Sequence, residues 1–171
     1  MVCVLLRVCF YFRNALPHKM KVHFVSILKL MGMGSSSHAQ NNLNHLVIDN
    51  NEVTNLKLGL SEAIAVNGNV DSFEVTNNKV HDNNIGIVLI GHESISPVAA
   101  LDQARHGIIR NNIVHYNSSF NNTSYNEYSA DGIYVDGGKE IIIEKNQNYE
   151  NDLGIEVAFV NVLWMNYSSF K

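Results

Sequence analysis

Four stretches of this chain repeat one pattern: LVIDNNEV (46–53), FEVTNNKV (73–80), GIIRNNIV (107–114) and IIIEKNQN (141–148). In each, apolar residues on alternate positions lead to an asparagine at one fixed place, so Asn51, Asn78, Asn112 and Asn146 are equivalent, 27, 34 and 34 residues apart. Alternation with period two over such short pieces suits β-strands and excludes amphipathic helices, whose apolar spacing is three or four. Each step holds three short strand-like pieces; in the second repeat these are 73–75, 79–81 and 85–89, with Asn-rich breaks between them.

Self-similarity at a period of about 30 residues is the mark of a stacked-repeat protein. Three strands per turn, laid turn upon turn, predict an all-β parallel β-helix of about four rungs over 41–158. The third strand gives the cleanest column: Ile64/Val66, Ile87/Leu89, Ile133/Val135 and Ile155/Val157 align as inward pairs, with Ala65, Val88, Tyr134 and Glu156 between them facing outward. Small residues precede each pair (Ala63, Gly86, Gly132, Gly154), which suits a tight backbone entry to the strand.

Asparagine fits a sharp corner for two reasons: it tolerates left-handed backbone, and its amide both donates and accepts. Stacked at a strand spacing of about 4.8 Å, identical amides can satisfy one another from rung to rung. A second series, Asn83, Asn117 and Asn151, follows five residues after its partner each time. All seven are expected to be structural. His81 and His115 occupy equivalent positions, with Tyr149 third, which repeat equivalence explains better than metal ligation.

The net charge of −4 gives no reason to expect a nucleic-acid partner, but it hides an asymmetry. Residues 1–40 carry five basic residues and no acid, whereas 41–171 carry seven basic residues and all 16 acids. Both cysteines, Cys3 and Cys9, lie in the first block, so the repeats hold no thiol for a disulfide or a thiolate metal site. That block has long apolar runs without asparagine punctuation and reads as a leader or a non-homologous segment. From Met20, a basic start, an apolar stretch and Ser37-His38-Ala39 suit export and cleavage before Gln40, hence a secreted protein; an organelle transit peptide or a misplaced gene start fits the same residues. No run reaches the roughly 20 apolar residues of a membrane-spanning helix. Residues 159–171 lose the pattern and read as a divergent tail or cap, and the ends of such a stack call for covering by further rungs or a partner chain.

The Gly-Ile-x-Val strands and x-x-Asn-x-Val corners resemble those of right-handed parallel β-helix proteins of the pectate-lyase-like superfamily. More narrowly, 61–93 and 129–158 resemble bacterial secreted β-helix repeat proteins. The resemblance covers roughly Leu43 to Ala158 and implies a right-handed solenoid and a polysaccharide partner. The chain departs from it in having few rungs, and it shows neither the Asn-Thr-Asp, Asp-Asp and Gly-His-Gly set of polygalacturonases nor the Arg-rich signature of classical pectate lyases.

Two long insertions interrupt the register, at 92–104 and 116–130, and long loops on a rigid scaffold are where binding concentrates. They bring His92, Glu93, Asp102, Arg105 and His106 towards the outer face of the third strand, which also displays Glu62, Asn67, Asp131, Tyr134, Asp136 and Glu156; Lys139 follows a Gly-Gly turn. Tyr134 could stack on a sugar ring while Glu62, Asn67, His92 and Glu93 bind hydroxyls. An acidic glycan would need Ca²⁺ on Asp131 and Asp136 as a bridge, and an eliminating base from Lys139, Arg105 or His106. A hydrolase would instead use Asp131 with Asp136 or Glu156. The competing expectation is a non-catalytic surface protein, a glycan binder or adhesin-like spacer, in which these acids are a solvated face.

Overall fold

The computed structural model describes residues 7–10, 18–20, 27–32, 43–57, 59–60 and 62–158. The expected cleavage site at Ser37-His38-Ala39 and the tail 159–171 lie outside them. Among the described residues eighteen strands follow one another: β1 (Arg7–Phe10), β2 (His18–Met20), β3 (Ile27–Gly32), β4 (Leu43–Asn44), β5 (Leu46–Asp49), β6 (Glu52–Thr54), β7 (Ile64–Gly68), β8 (Val70–Asp71) and β9 (Glu74–Thr76). They continue as β10 (Lys79–His81), β11 (Ile87–Ile90), β12 (Ala104–Arg105), β13 (Ile108–Arg110), β14 (Ile113–His115), β15 (Asp131–Asp136), β16 (Ile142–Glu144), β17 (Gln147–Tyr149) and β18 (Leu153–Ala158). One 3-10 turn, Ala99–Leu101, is the helical element among the described residues.

Among the described residues these strands pair only in parallel, and four sheets result: β1-β3-β7-β11-β15-β18, β6-β10-β14-β17, β4-β8-β12 and β2-β5-β9-β13-β16. From β4 to β15 the chain visits these sheets in one fixed order and then begins again. The expected three strands per repeat are there, and a fourth, two residues long, joins them after the long strand in each full circuit. The first block takes part as well: β3 pairs with β7, β2 with β5 and β1 with β3. Its unbroken apolar runs gave no sign of this, because they lack the asparagines that mark the corners elsewhere.

The long-strand sheet holds the register expected from sequence, with Ile64↔Ile87↔Ile133↔Ile155 and Val66↔Leu89↔Val135↔Val157. Ile64, Val66, Ile87, Leu89 and Ile133 meet Leu46, Ile48, Phe73, Val75, Val80, Ile109 and Val114 in one core. Burial falls away at the last strand, where Ile155 and Val157 are 39% and 45% exposed. The glycines before the pairs serve a purpose other than the one expected. None of Gly86, Gly132 and Gly154 has positive φ; instead a Cβ on Gly86 would lie 2.1 Å from the Gly132 carbonyl oxygen. Close approach of neighbouring circuits excludes a side chain there, and Gly154, on the last strand, has open space.

The asparagines form two columns. Asn78 Oδ1 accepts from both the main-chain N–H and Nδ2 of Asn51, Asn112 Oδ1 accepts the same pair from Asn78, and Asn146 Oδ1 accepts it from Asn112, all at 2.8–3.0 Å. The second hydrogen on each Nδ2 goes to a main-chain carbonyl of the preceding circuit: Asn78 to Ile48, Asn112 to Val75 and Asn146 to Ile109. Asn83, Asn117 and Asn151 repeat the scheme, with Leu56 N–H as its first donor. The left-handed residue at each corner is a different one. Asn50, Asn77, Asn111 and Lys145 have φ near +56°, immediately before the column asparagine, and Asn55, Asp82, Tyr116 and Glu150 do the same before the second column. The two reasons for asparagine thus divide between neighbours, one bending the chain and the next bonding between circuits.

Removing a central amide should therefore be costly. Asn112→Leu removes the acceptor of the Asn78 N–H and of one Nδ2 hydrogen of Asn78, whose other hydrogen stays on Ile48, and takes a donor from the Val75 carbonyl; at about 1–3 kcal/mol per buried unsatisfied group it should lower unfolding free energy by roughly 3 kcal/mol or more. Denaturant melts of Asn112→Leu beside Asn77→Gly, which keeps the bend and spares the column, test this. Equal midpoints for the two variants would contradict it.

Candidate functional site

Outside the long-strand sheet, alternation turns Ala65, Val88, Tyr134 and Glu156 away from the core in one register column. Ala65 and Val88 of that column are not solvent-facing as expected: with Ile90 they are buried in a second small apolar cluster, with Ile85 and Tyr134 packed against it. The acids come at the other end, where Glu156 is exposed and Tyr134 and Asp136 are half-buried.

Asp131 is 5% exposed, and its Oδ1 has no hydrogen-bond partner. Burial and then the negative charge of Glu156 raise its pKa from 3.8 to about 6, against a smaller opposing pull from its own backbone N–H. Asp136 is raised too, by burial and the charge of Glu93, while the Tyr134 hydroxyl donates to it and partly offsets this. Tyr134 is raised by burial and by the charges of Asp136, Glu156 and Asp131. Asn67 completes the group: it is fully buried, its Nδ2 donates to Glu93 Oε2 at 2.6 Å, and its Oδ1 is unpartnered. Asn67, Glu93, Asp131, Tyr134, Asp136 and Glu156 thus share one electrostatic neighbourhood. Glu62 enters β7 elsewhere and acts on Tyr125 of the second insertion, helping burial to raise that phenol. His92 is exposed in left-handed backbone beside Gly137.

The bases gather at a different corner, around the short strands β8 and β12. Arg105 is buried, with Nε on Asp71 Oδ2 at 3.1 Å, Nη2 on Asn69 Oδ1 at 2.8 Å and Nη1 on the Leu101 and Gln103 carbonyls. His106 bridges two carboxylates, Nδ1 to Asp71 at 2.6 Å and Nε2 to Glu140 at 2.9 Å, and Lys139 lies 3.7 Å from Glu140. Burial alone would raise Asp71, but the His106 hydrogen bond, the Arg105 charge and Ser72 together hold it low. No base contributes to the shifts of Asp131 or Asp136. Among the described residues no group of three or more His, Cys, Asp or Glu is arranged to hold a metal ion. Asp131 and Asp136 do not converge on a calcium site.

Sequence reasoning missed the residues that shape the insertions. Buried Asp102 accepts the N–H groups of Ser94 and Ser96, both at 2.7 Å, and so clasps 92–104 instead of facing a groove. Asp152 Oδ2 accepts from the N–H groups of Ser119 and Ala130 and clasps 116–130, where Phe120 and Tyr128 stack at 4.3 Å. Neither aspartate recurs in the repeats, so nothing in the periodicity marked it. His81, His115 and Tyr149 stack face to face at 4.9 and 5.0 Å, as equivalent positions should.

The raised Asp131 has a consequence for stability. Its folded pKa lies above the unfolded one, so the native state binds the extra proton between about pH 4 and 6; the stability this supplies is complete below about pH 4 and lost as pH rises through about 6. Asp131→Asn removes the ionisation, and above about pH 7 it should unfold at higher temperature than the parent by the equivalent of about 1–3 kcal/mol, with the difference closing near about pH 4. Paired thermal melts across that range check it, and a pH-independent difference would contradict it.

Among known proteins, no family model matches the chain, and no solved structure matches it. It is similar to the Uncharacterized protein YwoF of Bacillus subtilis (strain 168), 46% identical over 113 residues. These are 65% of this chain and 24% of that protein, so the chain spans about a quarter of the length of the relative it matches.

Proposed function

We propose that the chain is a stretch of right-handed parallel β-helix, of the pectate-lyase-like kind, that binds polysaccharide along the outer face of its long-strand sheet and hydrolyses it there. The cyclic visiting of four parallel sheets and the two asparagine columns support the fold reading. One observation carries the chemistry: Asp131, buried and raised to about 6, beside exposed Glu156. A buried carboxylic acid that keeps its proton up to about pH 6, beside a second carboxyl, is what acid–base glycoside hydrolysis needs. Asp131 donates its proton to the glycosidic oxygen as the C–O bond breaks. The Glu156 carboxylate meets the positive charge on the sugar, and water completes the cleavage. Tyr134, opposite Glu156 in the column, offers its ring to a sugar face. A base-driven elimination is less well supplied, since Arg105, His106 and Lys139 are held in ion pairs around Asp71 and Glu140.

The second reading is a glycan-binding or spacer β-helix without turnover. It is favoured by the use of Asp102 and Asp152, in and beside the long insertions, as loop clasps.

Incubation with neutral, amino and acidic polysaccharides distinguishes the readings. New reducing ends are expected, falling at least about 100-fold in Asp131→Asn and declining as pH rises past about 6, where the acid loses its proton. Ultraviolet absorbance from unsaturated uronides would point to elimination instead. Binding without new ends across the panel would leave the non-catalytic reading standing.

A further inference from the structure

We propose that the end of the stack formed by β16, β17 and β18 is a docking surface for a partner polypeptide, which lays one more parallel circuit on it and brings two asparagines five residues apart. Each of these strands is the last of its sheet among the described residues. An edge strand presents a row of main-chain N–H and C=O groups that templates a further strand. Ile155 and Val157 are exposed beside that row, whereas Ile133 and Val135, opposite them one circuit earlier, are buried.

Gly154 is a second, independent observation. Gly86 and Gly132 are hemmed in by the circuit that follows each: a Cβ on Gly86 would strike the Gly132 carbonyl, and one on Gly132 would strike the side chains of Asn148 and Asn151. Gly154 holds the equivalent place on β18, has no positive φ, and has nothing within 4 Å of where its Cβ would lie. Its own surroundings give no reason for a glycine. The close approach of a following circuit does.

The polar groups define what the occupant brings. Asn112 gives its main-chain N–H and one Nδ2 hydrogen to Asn146 Oδ1, and Asn117 gives the same pair to Asn151 Oδ1. Asn146 and Asn151 find no such oxygen among the described residues for their own main-chain N–H groups, so this end offers donors five residues apart and calls for acceptors at that spacing. A second copy docked through the same end would set donors against donors. Docked through its other end it would bring residues 1–40, which hold one asparagine, Asn14. The residues that follow in this chain match no better. The first-column asparagine comes 14 residues after Ile64 and 13 after Ile133, and the same count from Ile155 falls on Ser169 or Ser168. A serine oxygen sits one bond nearer its backbone than an asparagine Oδ1 and does not span the same gap. A separate chain that carries the asparagine pattern meets every requirement.

The probe is a peptide copying residues 73–90, which holds Asn78, Asn83 and Gly86 in one compact circuit. It is given to the full chain free at about 1 mM and, separately, fused behind Lys171 on a flexible linker that keeps it at a similar effective concentration. Amide exchange by nuclear magnetic resonance reads the docking: the main-chain N–H groups of Asn146 and Asn151 should exchange at least about tenfold more slowly with the peptide in place, while exposed Asn121 keeps its rate. A peptide carrying Asn78→Leu and Asn83→Leu should bind at least about tenfold more weakly. Gly154→Ala in the full chain should melt like the parent, because the added methyl enters open space, yet lose the protection the peptide confers. Unchanged exchange at Asn146 and Asn151 with both the free and the fused peptide would overturn the proposal, as would equal protection by the leucine peptide or in Gly154→Ala. Protection without peptide would overturn it too, assigning the surface to a second copy if it grows with protein concentration and to this chain's own following residues if it does not.

Discussion

An amide oxygen that accepts two hydrogen bonds from the circuit before it is the contact on which this structure depends. Because Asn78, Asn112 and Asn146 each take the main-chain N–H and Nδ2 of the preceding asparagine, a shift of one residue in register would break several buried bonds at once. The scheme also has direction. Main-chain donors point from each circuit to the next and side-chain oxygens point back, so the last asparagines, Asn146 and Asn151, supply acceptors and find none among the described residues for their own main-chain N–H groups. At this same end Ile155 and Val157 are exposed and Gly154 has open space.

Fixed register makes the outer surface predictable. Glu156 stands opposite Tyr134 because Ile155 and Val157 stand opposite Ile133 and Val135. The core pairing brings an acid against a phenol, and burial, with the charge of Glu156, holds Asp131 towards its neutral form. Charge is sorted by the same stacking. Ser72, His106 and Glu140 are successive left-handed corner residues, so His106 meets Asp71 and Glu140 across circuits and the bases neutralise acids locally.

What could be read beforehand followed from repetition. The inward pairs, both asparagine columns and the His81-His115-Tyr149 series recur once per circuit, and recurrence reports stacking directly. Features that occur once, or that depend on neighbours, were hidden. Ala65 and Val88 alternate outward yet are buried, because alternation gives a side chain's direction and says nothing of what covers it. Asp102 and Asp152 carry no sign of their role in the sequence, since a clasp on main-chain N–H groups has no spacing signature. Within the candidate site, residue types were legible for Asp131, Tyr134, Asp136 and Glu156, whereas the separation of acids from bases needed three dimensions.

Amide hydrogen exchange by nuclear magnetic resonance tests the central contact most directly. The main-chain N–H groups of Asn78, Asn112 and Asn83 bond to side-chain oxygens of the following circuit, so they should exchange only through global unfolding, as slowly as Val80 and Val114 in the core. Those of Asn146 and Asn151 should exchange many times faster. Rapid exchange at Asn78 and Asn112, comparable with exposed Asn121, would contradict the account.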